Sequence, residues 1–222
     1  MKTLTAEPQT TAGGPYHAHR ERQRGRILAA ARELFDKRGI DRVTMAEIVS
    51  GTGIRASTLY EYFANKDEIV WAVVEEVLMQ GAESFRRLNQ EVTGPALAKI
   101  TGILDAIGDE LVKHPERARF MAQFDAMYAR DWSVERLLAL EDRLFPDSFQ
   151  ELSDLIRLGI ADGSLRADLD PELTLHSVLN AVISVQRRLA SLGDRVEKEY
   201  GQPIDRMFRE TVRILLLGLR AI

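Results

Sequence analysis

The chain has 222 residues, 45% hydrophobic and 29% charged, with a formal net charge of −4. This length fits one domain of ordinary size with a smaller companion and excludes a large multidomain enzyme, while the composition excludes bulk disorder and fibrous architectures. The absence of cysteine removes disulfides, thiolate nucleophiles, zinc–thiolate sites and cysteine-ligated iron–sulfur clusters, and suits a reducing cytoplasm.

The first twenty residues lack the apolar core of a signal peptide, and no later stretch holds about 18 uninterrupted apolar residues. A cytoplasmic protein without a membrane partner is expected. Charge is unevenly spread. Residues 1–66 carry 11 Lys and Arg against 7 Asp and Glu, whereas the remainder carries 19 against 27. A phosphate backbone meets the local field within a screening length of roughly 8 Å, so the N-terminal end is the candidate for a polyanion partner.

Residues 1–18 are rich in Thr, Gly, Pro and Ala without a period and read as a flexible arm. From Arg20 to Arg38 the apolar positions Ile27, Leu28, Ala31, Leu34 and Phe35 recur at spacings of three and four, which predicts an amphipathic helix closed by Gly39. The alternate Arg20, Arg22, Arg24 and Arg26 do not keep to one helical side. A basic arm running along phosphates or into a minor groove is preferred for them over a solvated face of the first helix. Thr44 followed by Glu47 is a capping box opening a short helix, which Gly51-Thr52-Gly53 breaks. A phosphate loop at these glycines is rejected because no strand precedes them. A third helix runs from about Arg55 to Tyr62, and Asn65 to Glu68 open a long helix reaching about Phe85.

Pro95, Pro115 and Pro171 sit in the first turns of further helices, Pro203 does the same, and Pro146 divides the segment from Ser133 to Ile160. Without a convincing alternating strand, the predicted class is all-α, with about nine or ten helices. The domains are expected at 19–66, a helix-turn-helix unit, and 67–222, a helical ligand-binding and dimerisation unit.

Three helices between residues 20 and 62, the last two short and joined by glycines, match a helix-turn-helix with a supporting helix. A recognition helix must offer small or polar groups to base edges while its other face holds it to the scaffold. Ile54, Leu59 and Phe63 supply the inner face, and Arg55, Ala56, Ser57 and Thr58 the outer one. Thr44 and Lys66, each at a helix start, suit phosphate contacts.

Residues 26–76, and above all Thr58-Leu59-Tyr60-Glu61-Tyr62-Phe63 followed by Asn65-Lys66-Asp67-Glu68, resemble the DNA-binding domain of the tetracycline-repressor (TetR) type of bacterial transcriptional regulator. The resemblance implies that Thr44 and Lys66 contact phosphates, that Arg55, Ala56, Ser57 and Thr58 face the major groove, and that Tyr60 and its neighbour Tyr62 reach the backbone. It also implies a homodimer on a palindromic operator and a C-terminal domain that binds an inducer. Two positions depart from the family pattern. Arg55 stands where relatives commonly have a capping serine, and Glu61 where histidine or tyrosine is common.

In the C-terminal part, the helix from Leu173 to Leu192 and the last helix, with Met207 to Leu219, are apolar on more than one side. A second copy of the chain is the economical partner for the extra face. Aromatic and sulfur side chains gather between them, and Met79, Phe120, Phe124, Met127, Tyr128 and Phe149 are the candidate lining of an adaptable apolar pocket. Asn180 and Ser184, with Arg187, share a face and serve either a ligand's polar end or the dimer. His114 and His176 lack company for a metal site, and no metal or cofactor is expected. The favoured function is a ligand-responsive repressor rather than an enzyme. The alternatives are a constitutive dimeric DNA binder, or an all-α enzyme using acid pairs such as Asp105 with Asp109 or Asp125 with Asp131.

Overall fold

The computed structural model describes residues 15–91 and 93–221. Among them, eleven helices are formed and no strand; one isolated bridge pairs Leu165 with Arg220. The residues up to Ile69 cluster into one compact unit and those from Val70 onward into a second. The division falls within a helix, three residues beyond the boundary expected at 66.

In the first unit, α1 (Pro15–Arg38), α2 (Met45–Thr52) and α3 (Ala56–Tyr62) precede α4 (Lys66–Glu91), which starts here and continues into the second unit. The helical stripe of α1 is as its periodicity predicts. Ile27, Leu28, Ala31 and Phe35 are buried, and Ile40, Val43, Ile48, Leu59 and Phe63 complete the core. Each fully buried side chain of this size contributes roughly 1.5–3 kcal/mol. Gly39 and Gly53, with φ of 86° and 66°, hold left-handed positions that close α1 and α2, a conformation other residues adopt only with strain.

One expectation is corrected here. Arg20 to Arg26 belong to α1 and form no arm, and the helix begins at Pro15 rather than Arg20. Arginine, glutamate, glutamine and alanine are good helix formers, and tertiary contacts reinforce them. Arg20 and Arg24, one turn apart, place their guanidinium groups over the rings of Tyr62 and Phe63, at 5.5 and 5.7 Å from the ring centres. Arg26 donates to the Thr52 carbonyl oxygen at 3.1 Å. Of the expected arm at 1–18, residues 1–14 lie outside the described residues, and 15–18 form the first turn of α1.

The second unit holds the rest of α4 with α5 (Ala96–Lys113), α6 (Pro115–Asp131), α7 (Val134–Leu144), α8 (Ser148–Ala161), α9 (Pro171–Leu192), α10 (Arg195–Tyr200) and α11 (Ile204–Leu219). Pro115 and Pro171 occupy first-turn positions, where a missing N–H costs nothing, whereas Pro95 and Pro203 stand one residue earlier, at the caps. Helix α9 is central and packs against α6, α8 and α11. Leu104, Leu111, Val182, Leu189, Phe208 and Val212 are among the core residues these helices bury. The chain passes so closely at Gly108 that a Cβ there would lie 2.8 Å from the Phe208 ring.

Candidate nucleic-acid interface and effector cavity

The geometry of the first unit follows from two caps of opposite kind. Thr44 accepts the Glu47 N–H at 3.3 Å, and the Glu47 carboxylate accepts the Thr44 N–H at 2.8 Å and its hydroxyl at 2.9 Å. This is the reciprocal capping box predicted for α2. The Thr44 backbone N–H, then the Arg38 guanidinium, which also pairs with Glu47, hold the Glu47 carboxyl down to about 2. At α3 the cap is absent. Arg55 has extended backbone and no side-chain hydrogen bond to the helix, so the first N–H groups of α3 lack the partner a serine would supply.

Around α3 the faces divide as the sequence predicts. Leu59 and Phe63 are buried and Ile54 half-buried, while Arg55, Ala56, Ser57, Tyr60 and Glu61 are exposed. Thr58 is half-buried, at the edge between the faces. Tyr60 is 54% exposed, whereas Tyr62 is half-buried beneath Arg20. Lys66 is half-buried, and its ammonium donates to the carbonyl oxygens of Ile40 and Asp41 at 3.0 and 3.3 Å. That bond was not legible in the sequence, which offers no sign that a residue in α4 reaches the loop after α1.

The second unit holds a partly open cavity of about 360 Å³. Its walls are mostly apolar: Val77, Leu78 and Phe85 from α4, Ile103 and Ile107 from α5, Met121 from α6, Phe145, Leu152 from α8, and Leu179 and Ile183 from α9. Charged groups break this lining. Glu110 pairs with Arg117 at 2.8 Å, Arg187 is ion-paired with Asp125, and Glu141 stands in the wall beside them. Burial, aided by neighbouring Asp142 and opposed by Arg187, pushes the Glu141 carboxyl above the usual carboxylate range.

Of the lining expected from sequence, Phe149 faces this cavity, as does Arg187, which the sequence offers for a ligand's polar end or the dimer. The other candidates lie elsewhere. Phe120, Phe124 and Met127 are buried in the core. Phe124 stacks on Tyr128 and Trp132 at 5.7 and 5.4 Å and meets Trp71 edge-on at 5.1 Å. Met79 is 41% exposed, and Asn180 and Ser184 are exposed on α9. The physical reason is helical phase. The lining residues of α4 are Val77, Leu78, Gly81, Ser84 and Phe85, and those of α9 are Leu179, Ile183, Gln186 and Arg187. Met79 lies about 100° beyond the α4 stripe, and Asn180 and Ser184 lie about 20° and 60° beyond Arg187, which forms the edge of the α9 stripe. Glu141 was overlooked, although a carboxylate among Leu137, Leu140 and Leu144, on their helical face, was a usable signal.

Comparison with known proteins agrees with the first unit. Residues 27–73 match the family described as bacterial regulatory proteins, tetR family. The HTH-type transcriptional repressor KstR2 of Mycolicibacterium smegmatis is 28% identical over 160 residues, 70% of this chain and 74% of that protein. Its namesake in Mycobacterium tuberculosis is 29% identical over 156 residues, covering 70% and 76%. The solved structure of the ketosteroid transcriptional regulator KstR2 of Mycobacterium tuberculosis superposes with a TM-score of 0.67 at 22% identity, over 90% of this chain and 96% of the other. The fatty acid degradation regulator FadR from Bacillus halodurans gives 0.65 at 18%, over 96% and 100%. These two structures share the fold. The helix-turn-helix at α2 and α3 lies inside the match, so the similarity to the tetR family of bacterial regulatory proteins covers the DNA-binding segment and the start of α4.

Proposed function

We propose that this chain is a ligand-responsive transcriptional repressor that binds a palindromic operator as a homodimer and is released by a small, largely apolar or aromatic effector. The observation that carries the reading is the division of α3, with Arg55, Ala56 and Ser57 exposed on its first turn while Leu59 and Phe63 anchor the opposite face. A helix so mounted presents base-reading groups without unfolding anything. Thr44, Tyr60, Tyr62 and Lys66 are the proposed backbone contacts, and Arg55, Ala56, Ser57 and Thr58 the proposed groove contacts. The relatives named as repressors support this direction of control.

The dimer is assigned to α9 and α11. Leu173, Ile214 and Leu217 are 66%, 57% and 57% exposed on these helices, and Asn180 and Ser184 lie on the same outward strip of α9 as Leu173. An isologous four-helix contact removes that apolar surface from water. The cavity is the proposed effector site. An effector that binds better to a non-operator conformation shifts the population by its differential affinity. A mobility-shift titration with DNA from upstream of the chain's own gene tests the reading. Saturable binding that survives excess nonspecific DNA is expected, and binding indifferent to sequence overturns it.

A further inference from the structure

The charged groups in the cavity wall are not all paired with one another. Glu110 and Arg117 neutralise one another at 2.8 Å, and Arg187 is occupied by Asp125, which reaches it from α6. His114, also in the wall, has Nδ1 3.4 Å from the Glu116 carboxylate. Glu141 is different. Among the described residues no hydrogen bond reaches its carboxylate. Arg143, two positions further along α7, is turned to Glu75 at 2.7 Å. Glu141 is thus the wall carboxylate without an ion pair of its own, half-buried, with Arg187 acting on it only through space while paired to Asp125, and a partly buried charge so placed is costly.

Two kinds of charged ligand can be weighed against this wall. An anion would have to part Arg187 from Asp125 or Arg117 from Glu110, leaving a carboxylate unpaired in each case, and would sit in the field of Glu141. A cation meets Glu141 directly and disturbs neither pair. We propose that the effector is a lipophilic cation, with an apolar body filling the cavity and one protonated nitrogen seated on the Glu141 carboxylate. The assignment rests on the cavity being the effector site.

The test compares decylamine, protonated at pH 7, with decanol and decanoate, which share its chain, by calorimetric titration of the full chain and of its Glu141→Gln and Ile183→Trp variants. A hydrogen-bonded charge in such a wall corresponds to about tenfold in affinity or more. Decylamine should bind at least about tenfold more tightly than decanol, and decanoate more weakly than decanol. Glu141→Gln should erase the amine's advantage and leave decanol within about twofold, while Ile183→Trp, which fills the cavity, should weaken every probe.

An amine that binds no better than decanol, or whose advantage survives in Glu141→Gln, overturns the proposal and leaves the cavity as the effector site. Equal loss of all probes in Glu141→Gln also overturns it, since the side chain then only supports the wall. Binding of no probe, or indifference to Ile183→Trp, removes the cavity as the site and the proposal with it. If the amine binds as expected yet leaves the operator complex intact, the proposed pairing stands and the regulatory reading fails.

Discussion

The Lys66 ammonium donates to the Ile40 carbonyl oxygen at 3.0 Å, fastening the first residue of α4 to the loop that follows α1. A second bond, to Asp41 at 3.3 Å, satisfies the neighbouring carbonyl. A residue expected to touch phosphate thus also closes the unit that would present it. Lysine has three N–H donors, and two carbonyl bonds leave one for a phosphate oxygen.

Replacing Lys66 by Ala should therefore have two effects. Stability of the first unit should fall by about 1–2 kcal/mol, the value for hydrogen bonds to a charged donor reduced for partial exposure, as read by urea denaturation. Operator and nonoperator DNA should both bind more weakly by similar factors, with a salt slope smaller by about one. A selective loss for the operator alone would contradict the phosphate role.

Changes at Ser57 or Thr58 should act in the opposite way. Their side chains lie at the start of α3, so Ser57→Ala should alter preference among operator variants by roughly 1–3 kcal/mol at one base position, with the salt slope unchanged. Competition binding across a set of single-base operator variants measures this. A uniform loss across the set would move these residues to the backbone class.

The α2 capping box predicts a response to acid. Glu47 is held at about 2 in the folded chain against an ordinary value of 4.5. A carboxylate whose pKa is depressed on folding stabilises fully above the unfolded value and loses that contribution as pH falls toward the folded one. Stability should therefore decline as pH falls from about 4.5 to about 2. Glu47→Gln should be less stable at neutral pH and show a flatter dependence in that window, followed by circular dichroism. Thr44→Ala removes the other half of the box and should cost about 1 kcal/mol.

Gly108 tests the packing of α5 on α11. Adding a methyl group there forces the Phe208 ring to move from a contact of 2.8 Å, and overpacking of this kind costs about 1–3 kcal/mol. Gly108→Ala should lower the thermal midpoint of the second unit, and Gly108→Ala with Phe208→Leu should recover part of the loss.

The dimer assignment predicts that Leu217→Glu together with Ile214→Glu yields a folded monomer. Both side chains are more than half exposed, so the single chain tolerates the charges, whereas an apolar two-fold contact would not. Light scattering should report the monomer mass and operator affinity should fall with it, because each half-site would then be bound singly.

The amino-acid sequence alone determined the local grammar of this protein: the helical class, the Thr44–Glu47 box, the glycines closing α1 and α2, and the inner and outer faces of α3. Each is written within a few consecutive residues and needs no distant partner. It stopped short where a helix has two apolar sides, since periodicity then marks a helix without saying which stripe meets which neighbour. Met79, Phe120 and Asn180 therefore missed a cavity that Gly81, Met121 and Ile183 line. It also could not foresee that Arg20 and Arg24 would lie over Tyr62 and Phe63, which turned an expected arm into helix. Those choices belonged to tertiary structure, because the rotational setting of a helix, and the partner that completes a charge or a ring, is fixed only when elements far apart in the chain are packed together.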